Sequence, residues 1–471
     1  MLTRRRFVGY SALASAMLAS RPLLASGLGQ ESSGQHPLRL AILGSVYSLG
    51  SSLQDFADRF LVGYPWEGDW HMPPVQVVSL YVDQRARRAE GAPTGYQLAM
   101  KGTHLAPAGP GPTGGRPAHP VPQHHEEIEI PGDLSEARAH QFGFRIARNI
   151  PDALRCGGNR IAIDAVLSVV EQDDYPSNDR GQILLPTYDF FEQCAQVFEE
   201  EKHAVPFFSY GALSFSLPEA KTMVATAQRL NLPLQAGSAF PFTWRLPDID
   251  VPLDAPVEEA VIVGPGSLDG EAFDALEALQ AMMERRRGGE TGVKAVQLLE
   301  GDDVWAAGHA GRWSKELLSS ALSRSDTPLG LTVLDGRTQD LAAPGVLPQL
   351  VKNPLACSIE YSDGSRGTLL LLDGAIEDFN IALRIAGHDG PLATQFFLPP
   401  APNQDWSAAL AAQIEALYTT HRAPWPVERT LLTTGLLEAC FDSRHQLNRR
   451  LETPQLAISY KPPSEPQYAR S

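Results

Sequence analysis

Between residues 38 and 236 short apolar runs alternate with amphipathic stretches of helical period, and that alternation, more than any motif, restricts the fold. Leu38 to Leu43 reads as a buried strand that ends in Gly44 and a Ser/Gly-rich turn, Ser45 to Ser52, before a helix from Leu53 to Leu61. Val75 to Val82 is a second strand, closed by Asp83. Strands at Ile163 to Val170, Ala204 to Phe208 and Leu232 to Ala236 then alternate with helices at Tyr188 to Lys202 and Pro218 to Leu230. Ser216 and Glu219 have the spacing of a capping box for the second of these helices. Such a series predicts a parallel sheet with right-handed crossovers and helices on both faces. From about residue 246 the pattern changes. A helix over Ala272 to Arg286 is followed by strands at Gly292 to Leu299, Ala356 to Tyr361, Thr368 to Leu372 and Ile381 to Ala386, with Ser362-Asp363-Gly364 as a hairpin turn. This second half predicts a largely antiparallel open sheet with helices on one face. Helices at Trp406 to Thr419 and Val427 to Leu451 close it.

Charge narrows the partners. Asp and Glu outnumber Lys and Arg by 55 to 39, a net charge of -16, and no basic stripe exists to neutralise nucleic-acid phosphates. Four arginines lie in the first 21 residues: Thr3-Arg4-Arg5-Arg6-Phe7-Val8 precedes a small, apolar run from Gly9 to Ser20, which looks like a twin-arginine export signal. That run is too short and too rich in Ala and Ser to span a bilayer, so the mature chain is expected to carry no membrane span. The expected partner at this stage is the twin-arginine machinery and the expected location periplasmic or otherwise exported. Cys156, Cys194, Cys357 and Cys440 show no metal-ligand spacing, and no disulfide is predicted from them. Residues Gly102 to His125 hold six Pro, five Gly and four His, a composition that cannot pack a core; it reads as a solvated surface insertion rather than a metal site built on His119, His124 and His125. The layout is therefore a signal (1–25), a linker (26–37), a first domain (38–245, with an insertion at 102–132), a second domain (246–453) and a Pro-rich tail (454–471).

Three segments carry candidate chemistry. The first strand-turn-helix has the shape of a dinucleotide site, since a turn at a strand's carboxyl end and a helix N-terminus cradle a pyrophosphate through backbone N–H groups. Gly44, Ser45, Tyr47 and Gly50 would form that turn, without the usual GxGxxG, while Asp83 would meet a ribose hydroxyl and Arg85 a 2′-phosphate. The strand ending at Val170 runs directly into Glu171-Gln172-Asp173-Asp174-Tyr175-Pro176-Ser177-Asn178-Asp179-Arg180. From that loop Glu171, Asp174, Tyr175, Asn178 and Arg180 are candidate ligands of sugar hydroxyls; equally, the loop is a solvated one capped by Asn178 and Arg180. Ser238 to Arg245 offers Trp244 to stack on a sugar ring and Arg245 to bind its oxygens, or else serves as an interdomain hinge. No nucleophile elbow and no P-loop are present.

The succession of these segments resembles the Gfo/Idh/MocA oxidoreductase superfamily: the strand and glycine turn at 38–50, Asp83, Lys202-His203-Ala204-Val205, Leu234-Gln235-Ala236-Gly237, the helix around Phe273 to Met283, the Tyr361-Ser362-Asp363-Gly364 hairpin and the helix Trp406 to Thr419. The resemblance covers nearly the whole mature chain. It implies a Rossmann-like domain binding NAD or NADP, a second domain closing over a sugar-like or polyol substrate, and a homo-oligomer formed through the exposed face of the second sheet. The family's catalytic lysine follows the fifth strand; here that segment reads Phe208-Ser209-Tyr210-Gly211-Ala212-Leu213, with Gly211 at or beside the lysine position. Its Asp and His pair opens a helix of the second domain, where this chain has Gly270 and Asp274. The residues left to move protons are Tyr210 and Asp274, with Glu277 one turn beyond Asp274. Two readings stay open: an exported NAD(P)-binding oxidoreductase with a recast site, and a non-catalytic carbohydrate-binding or scaffold protein of the cell envelope.

Overall fold

The computed structural model describes residues 36–84, 132–171, 174–329, 340–399 and 403–470; the expected export signal, Arg85 and residues 102–131 of the insertion lie outside them. From Pro37 onward the chain is one compact unit. Its first layer is built in order from β1 (Leu38–Gly44), α1 (Ser52–Val62), a hairpin of β2 (Tyr64–Trp66) and β3 (Asp69–His71), and β4 (Val75–Val82). It continues through α2 (Ser135–Phe142), β5 (Arg145–Ile146), α3 (Ile150–Arg155), β6 (Ala165–Val169), α4 (Thr187–Glu201), β7 (Phe207–Tyr210), α5 (Leu217–Leu230) and β8 (Leu234–Gly237). Six of these strands form an all-parallel sheet in the order β5-β4-β1-β6-β7-β8. The order reverses between β1 and β6, the switch point beyond which such sheets hold ligands. Alternation within β1 splits its side chains: Ala41 and Leu43 face α3 to α5, while Leu40 and Ile42 face α1.

The second layer follows as β9 (Trp244–Leu246), β10 (Val257–Gly264), α6 (Ala272–Met283), β11 (Val293–Glu300), α7 (Asp302–His309), α8 (Lys315–Leu322) and α9 (Val346–Leu350). Then come β12 (Leu355–Tyr361), β13 (Arg366–Leu371), β14 (Phe379–Ile385), β15 (Leu392–Phe397), α10 (Ala408–Thr420), α11 (Glu428–His445) and β16 (Leu451–Glu452). Its strands form an eight-stranded sheet, β16-β11-β12-β13-β10-β14-β15-β9, in which only the β10–β13 pair is parallel. The hairpin at 362–364 is formed, with Gly364 at φ 89° and its N–H donated to Tyr361 O.

The chain departs from the sequence-based expectation in five places, each for a local reason. Helices cover both faces of the second sheet: α6 and α11 lie on one, and α7 to α9 bury Val261, Val263, Leu370 and Ala382 on the other, so the face expected for self-association is occupied. The helix α10 belongs to the first layer, not to a second domain, because Leu410, Ile414 and Tyr418 pack with Leu40, Phe56 and Leu167, and Tyr418 Oη donates to Val166 O at 2.9 Å. The helix α11 stops at His445 because Leu447 and Asn448 take left-handed backbone before residues 451–452 pair with β11. The strand expected from Ala204 starts at Phe207, since Pro206 has no N–H to give the ladder. The capping box is not made: Glu219 accepts instead from Ser214 Oγ at 2.5 Å, and Ser216 gives α5 no side-chain cap bond. All four cysteines are free, Cys194 fully buried among apolar side chains as its spacing predicts.

If α10 is integral to the first layer, Ile414→Ala, at a fully buried position, lowers the stability of the whole unit by about 2–5 kcal/mol. Urea unfolding should keep one transition at a lower midpoint; a separate early transition, with the main one unmoved, would show α10 to be an appendage.

Candidate functional site

A cleft of about 350 Å³ opens beyond the carboxyl ends of β6 and β7, between them and the start of α6. Each wall has a local cause. At β7, Tyr210 is the last strand residue and Gly211 turns the chain at φ 87°, its N–H donated to Gly237 O at 3.0 Å; that positive φ favours glycine over any side chain where a lysine would otherwise stand. At α6, Gly266 (φ 97°) lets the loop fold back so that Ser267 N donates to Glu271 Oε2 at 3.0 Å and Gly270 N to Ser267 Oγ at 3.0 Å, which fixes Asp274 in the first helical turn. From α11, Thr434 and Glu438 complete the cleft, Glu438 accepting from Leu217 N at 2.8 Å.

Five carboxylates line this space, Glu171, Asp269, Glu271, Asp274 and Glu438, and among the described residues no Lys, Arg or His does. Burial penalises the ionised forms of Asp269, Asp274 and Glu438. Asp274 is raised to about 6, chiefly by desolvation and secondarily by Glu271, against the hydrogen bond from Ser238. Asp55, on the α1 turn behind Glu171, is raised to about 7 by desolvation, with Arg59 opposing and Glu171 and Asp58 adding. Desolvation, reinforced by Asp274, Asp55 and Glu171, pushes the Tyr210 phenol well above its ordinary value. Tyr210, whose ring packs on Phe56 with centroids 4.6 Å apart, is thus a hydrogen-bond donor and not a base. Asp274 is the group that can take up a proton near neutrality.

Glu277 does not reach the cleft. It is fully buried behind Gly237, accepts from Thr433 Oγ1 at 2.5 Å, and burial raises it to about 7 against the opposing pull of Arg429. Its place one turn from Asp274 put it on the correct helix but on the stripe that faces α11. Arg245 is likewise buried, its guanidinium paired with Asp250 at 2.5 Å and lying over the Tyr468 ring. Trp244 borders a different groove, with Trp66, Trp70 and Trp406. Arg180 ties the loop to α11, pairing with Asp442 at 2.5 Å and lying 3.7 Å from Glu438, while Asn178 Oδ1 accepts from the N–H groups of Arg180 and Gln182 and so serves the loop's own turn. Of the acidic loop only Glu171 lines the cleft among the described residues. Sequence reasoning missed Gln182, Ser214, Thr434 and Glu438, which come from two loops and a distant helix; no spacing links them.

The turn at 44–52 has the form a dinucleotide requires, but its groups are already engaged. A Cβ on Gly44 would stand 2.3 Å from Leu53 Cδ2, so this glycine serves the close approach of β1 to α1. Ser48 N and Gln54 N donate to Ser51 Oγ (3.2 Å each), Gly50 N to Gln54 Oε1 (2.7 Å) and Ser52 N to Glu171 Oε2 (3.0 Å). Ser45 Oγ accepts from Glu171 N at 3.1 Å, and Tyr47 Oη turns inward to Asp58 at 2.8 Å. At the end of β4, Asp83 accepts from Tyr81 Oη (2.8 Å) and Tyr175 Oη (2.9 Å), while Asp174 backbone pairs with the Gln84 amide (3.3 Å both ways). In this arrangement the turn does not fit a pyrophosphate: a carboxylate stands at the helix start, and Asp83, the acid expected to meet a ribose, is taken by tyrosines.

No family model and no curated protein matches the chain. Among solved structures it is similar to GenD2 from gentamicin A biosynthesis in complex with NAD (12% identity, 90% of this chain and 99% of that one, TM-score 0.46). It is also similar to the myo-inositol dehydrogenases of Lactobacillus casei, in complex with NAD(H) and myo-inositol (10%, 88% and 96%, 0.45), and of Corynebacterium glutamicum (12%, 88% and 98%, 0.43).

The raised buried carboxyls have a consequence for stability. A carboxyl whose folded pKa lies above its unfolded value stabilises the fold while protonated and loses that contribution as pH rises through the folded value. For Glu277, moved from 4.5 to about 7, the loss between pH 4.5 and 7.5 is on the order of 3 kcal/mol. Glu277→Gln should therefore flatten the fall in denaturant midpoint across that range; an unchanged pH profile would show that Glu277 ionises without penalty.

Proposed function

We propose that this chain uses the scaffold of an NAD(P)-dependent sugar or polyol oxidoreductase to bind a neutral, hydroxyl-rich ligand of sugar or polyol type in the acidic cleft. The observation that carries the proposal is the placement of Asp274, held near neutral pKa, in a cleft that no cation lines among the described residues, at the carboxyl edge of a parallel sheet. Carboxylates accept hydrogen bonds from hydroxyl groups, and five of them together repel sugar acids and sugar phosphates. The myo-inositol held by the Lactobacillus casei dehydrogenase is a ligand of this neutral, hydroxyl-rich class. Export by the twin-arginine route belongs to this reading on the strength of Thr3 to Phe7.

Within the cleft Asp274 can accept the proton of a bound hydroxyl, and Tyr210 can orient an oxygen by donating to it. A general base of pKa about 6 is well matched to work near pH 7. The second reading, a binding protein without turnover, is favoured by one observation, the Glu171 carboxylate on the α1 N-terminus.

Calorimetric titration separates these readings. Neutral polyols and pyranoses should bind and the corresponding sugar acids should not, and Asp274→Asn should weaken binding about tenfold or more, the worth of one charge-assisted hydrogen bond. Any turnover should rise with pH through about 6 and vanish in Asp274→Asn. Tighter binding of sugar acids than of neutral polyols would sink the proposal.

A further inference from the structure

The first turn of α1 is the strongest anion site that the first layer builds, because a helix N-terminus concentrates unpaired N–H groups and a positive dipole end. A carboxylate of the chain itself sits there. Glu171 follows directly from β6, and its reach is fixed at both ends: its N–H donates to Ser45 Oγ at 3.1 Å and its Oε2 accepts from Ser52 N at 3.0 Å. The neighbouring strand ends are tied as well, Ser45 N donating to Val169 O at 3.2 Å and Gln84 N to Ser45 O at 2.8 Å. Four residues on, Tyr175 donates to Asp83, and Asp174 exchanges two hydrogen bonds with Gln84. Residues after β6 thus occupy, one after the other, the helix start beyond β1 and the acid beyond β4.

We propose that Glu171 is a built-in occupant of the phosphate subsite at the start of α1, and that with Tyr175 on Asp83 it competes directly with a dinucleotide for the carboxyl edge of the sheet. The proposal extends the reading above from the ligand cleft to the adjoining nucleotide half of the same site, and rests on it for the location. The competition is steep in charge. Displacing Glu171 exchanges one carboxylate for two phosphates beside Asp55, a group that already feels the repulsion of Glu171 and Asp58. Two features make Glu171 a competitor rather than a simple helix cap. The helix has its own N-cap, Ser51, whose Oγ already accepts from Gln54 N. The acid that a ribose would meet is closed by the same stretch of chain.

The test is calorimetric titration of the full mature chain with NAD⁺ and with NADP⁺, in wild type, Glu171→Ala, Glu171→Gln and Tyr175→Phe. Glu171→Ala should bind at least one nucleotide about tenfold or more tightly than wild type, as expected for removing a competing anion from a helix start. Glu171→Gln keeps the volume and the acceptor while removing the charge, so it covers the case of an unstable alanine variant and should gain in the same direction. Tyr175→Phe should gain less. In wild type, saturating nucleotide should speed amide hydrogen exchange across residues 174–178, because that stretch must leave Asp83. Equal nucleotide affinity in wild type and both Glu171 variants overturns the proposal, as does undetectable nucleotide binding in all four proteins, or unchanged exchange at 174–178 with nucleotide bound. Polyol titration of Asp274→Asn is independent of these outcomes, so failure here and failure of the cleft reading are told apart.

Discussion

One buried ion pair holds the walls of the cleft in register. Arg429, on α11, donates through Nε and Nη2 to the Glu284 carboxylate just beyond α6, at 2.8 and 2.5 Å, with both side chains almost wholly buried; Tyr460 adds a third bond to Glu284 at 2.8 Å. A pair in this environment is paid for in desolvation, and its worth lies in the single geometry it permits. From that anchor α11 reaches both sheets. Thr430 Oγ1 donates to Ala236 O of β8 (2.8 Å), Thr434 Oγ1 accepts from Leu213 N (3.2 Å), and Ser443 Oγ accepts from Leu298 N of β11 (3.0 Å). Because Thr434 and Glu438 lie on the same helix and line the cleft, α11 links the ion pair, the two sheets and the site.

The same burial shapes the chemistry. Desolvation is the largest influence on both Asp274 and Glu277 and raises them, against the hydrogen bond from Ser238 on the first and the charge of Arg429 on the second. They differ in address. Asp274 faces the cleft and can exchange a proton with a ligand; Glu277, one turn on, faces Thr433 and Gly237 and stores its proton inside the protein. A tyrosine among three acids is the opposite case. Each of those acids disfavours the ionised form of Tyr210, which leaves it the role of donor.

The sheet was legible because its signal is local. Leu38 to Leu43 carries its own period and its own terminating turn, and the same is true of β4, β6 and the hairpin at 362–364. Tyr210 and Asp274 were legible too, since each stands at a fixed distance from a strand or helix end. What could not be read is what depends on which side chain meets which across more than a hundred residues: Arg180 with Asp442, Arg245 over Tyr468, Glu438 on Leu217 N. An arginine among aromatics suits a sugar site and a buried ion pair equally well in one dimension, and only the position of Asp250 decides between them. The second face of the open sheet failed for a related reason. The helices α7 to α9 have short, ordinary apolar stripes whose partner strands, β10, β13 and β14, are scattered along the chain.

The nucleotide turn shows how a fold can keep its shape while its site changes meaning. A helix start prepared for a phosphate and left empty would hold unpaired donors near the base of a cleft, where water satisfies them imperfectly. Here three donors of the turn and helix start have partners from the chain: Ser51 for Gln54, Gln54 for Gly50, Glu171 for Ser52. On the proposal made above, an incoming dinucleotide would bind only the fraction of molecules in which those partners have let go, and its affinity would be reduced by that fraction. If that open fraction were about one in a thousand, an intrinsic affinity in the micromolar range would read as millimolar, since about 1.4 kcal/mol accompanies every factor of ten. Strand order and glycine turn alone therefore do not decide between a dehydrogenase and a binding protein. On that proposal, the balance turns on how firmly Glu171, two residues after β6, holds Ser52 N together with the neighbouring partners of the turn.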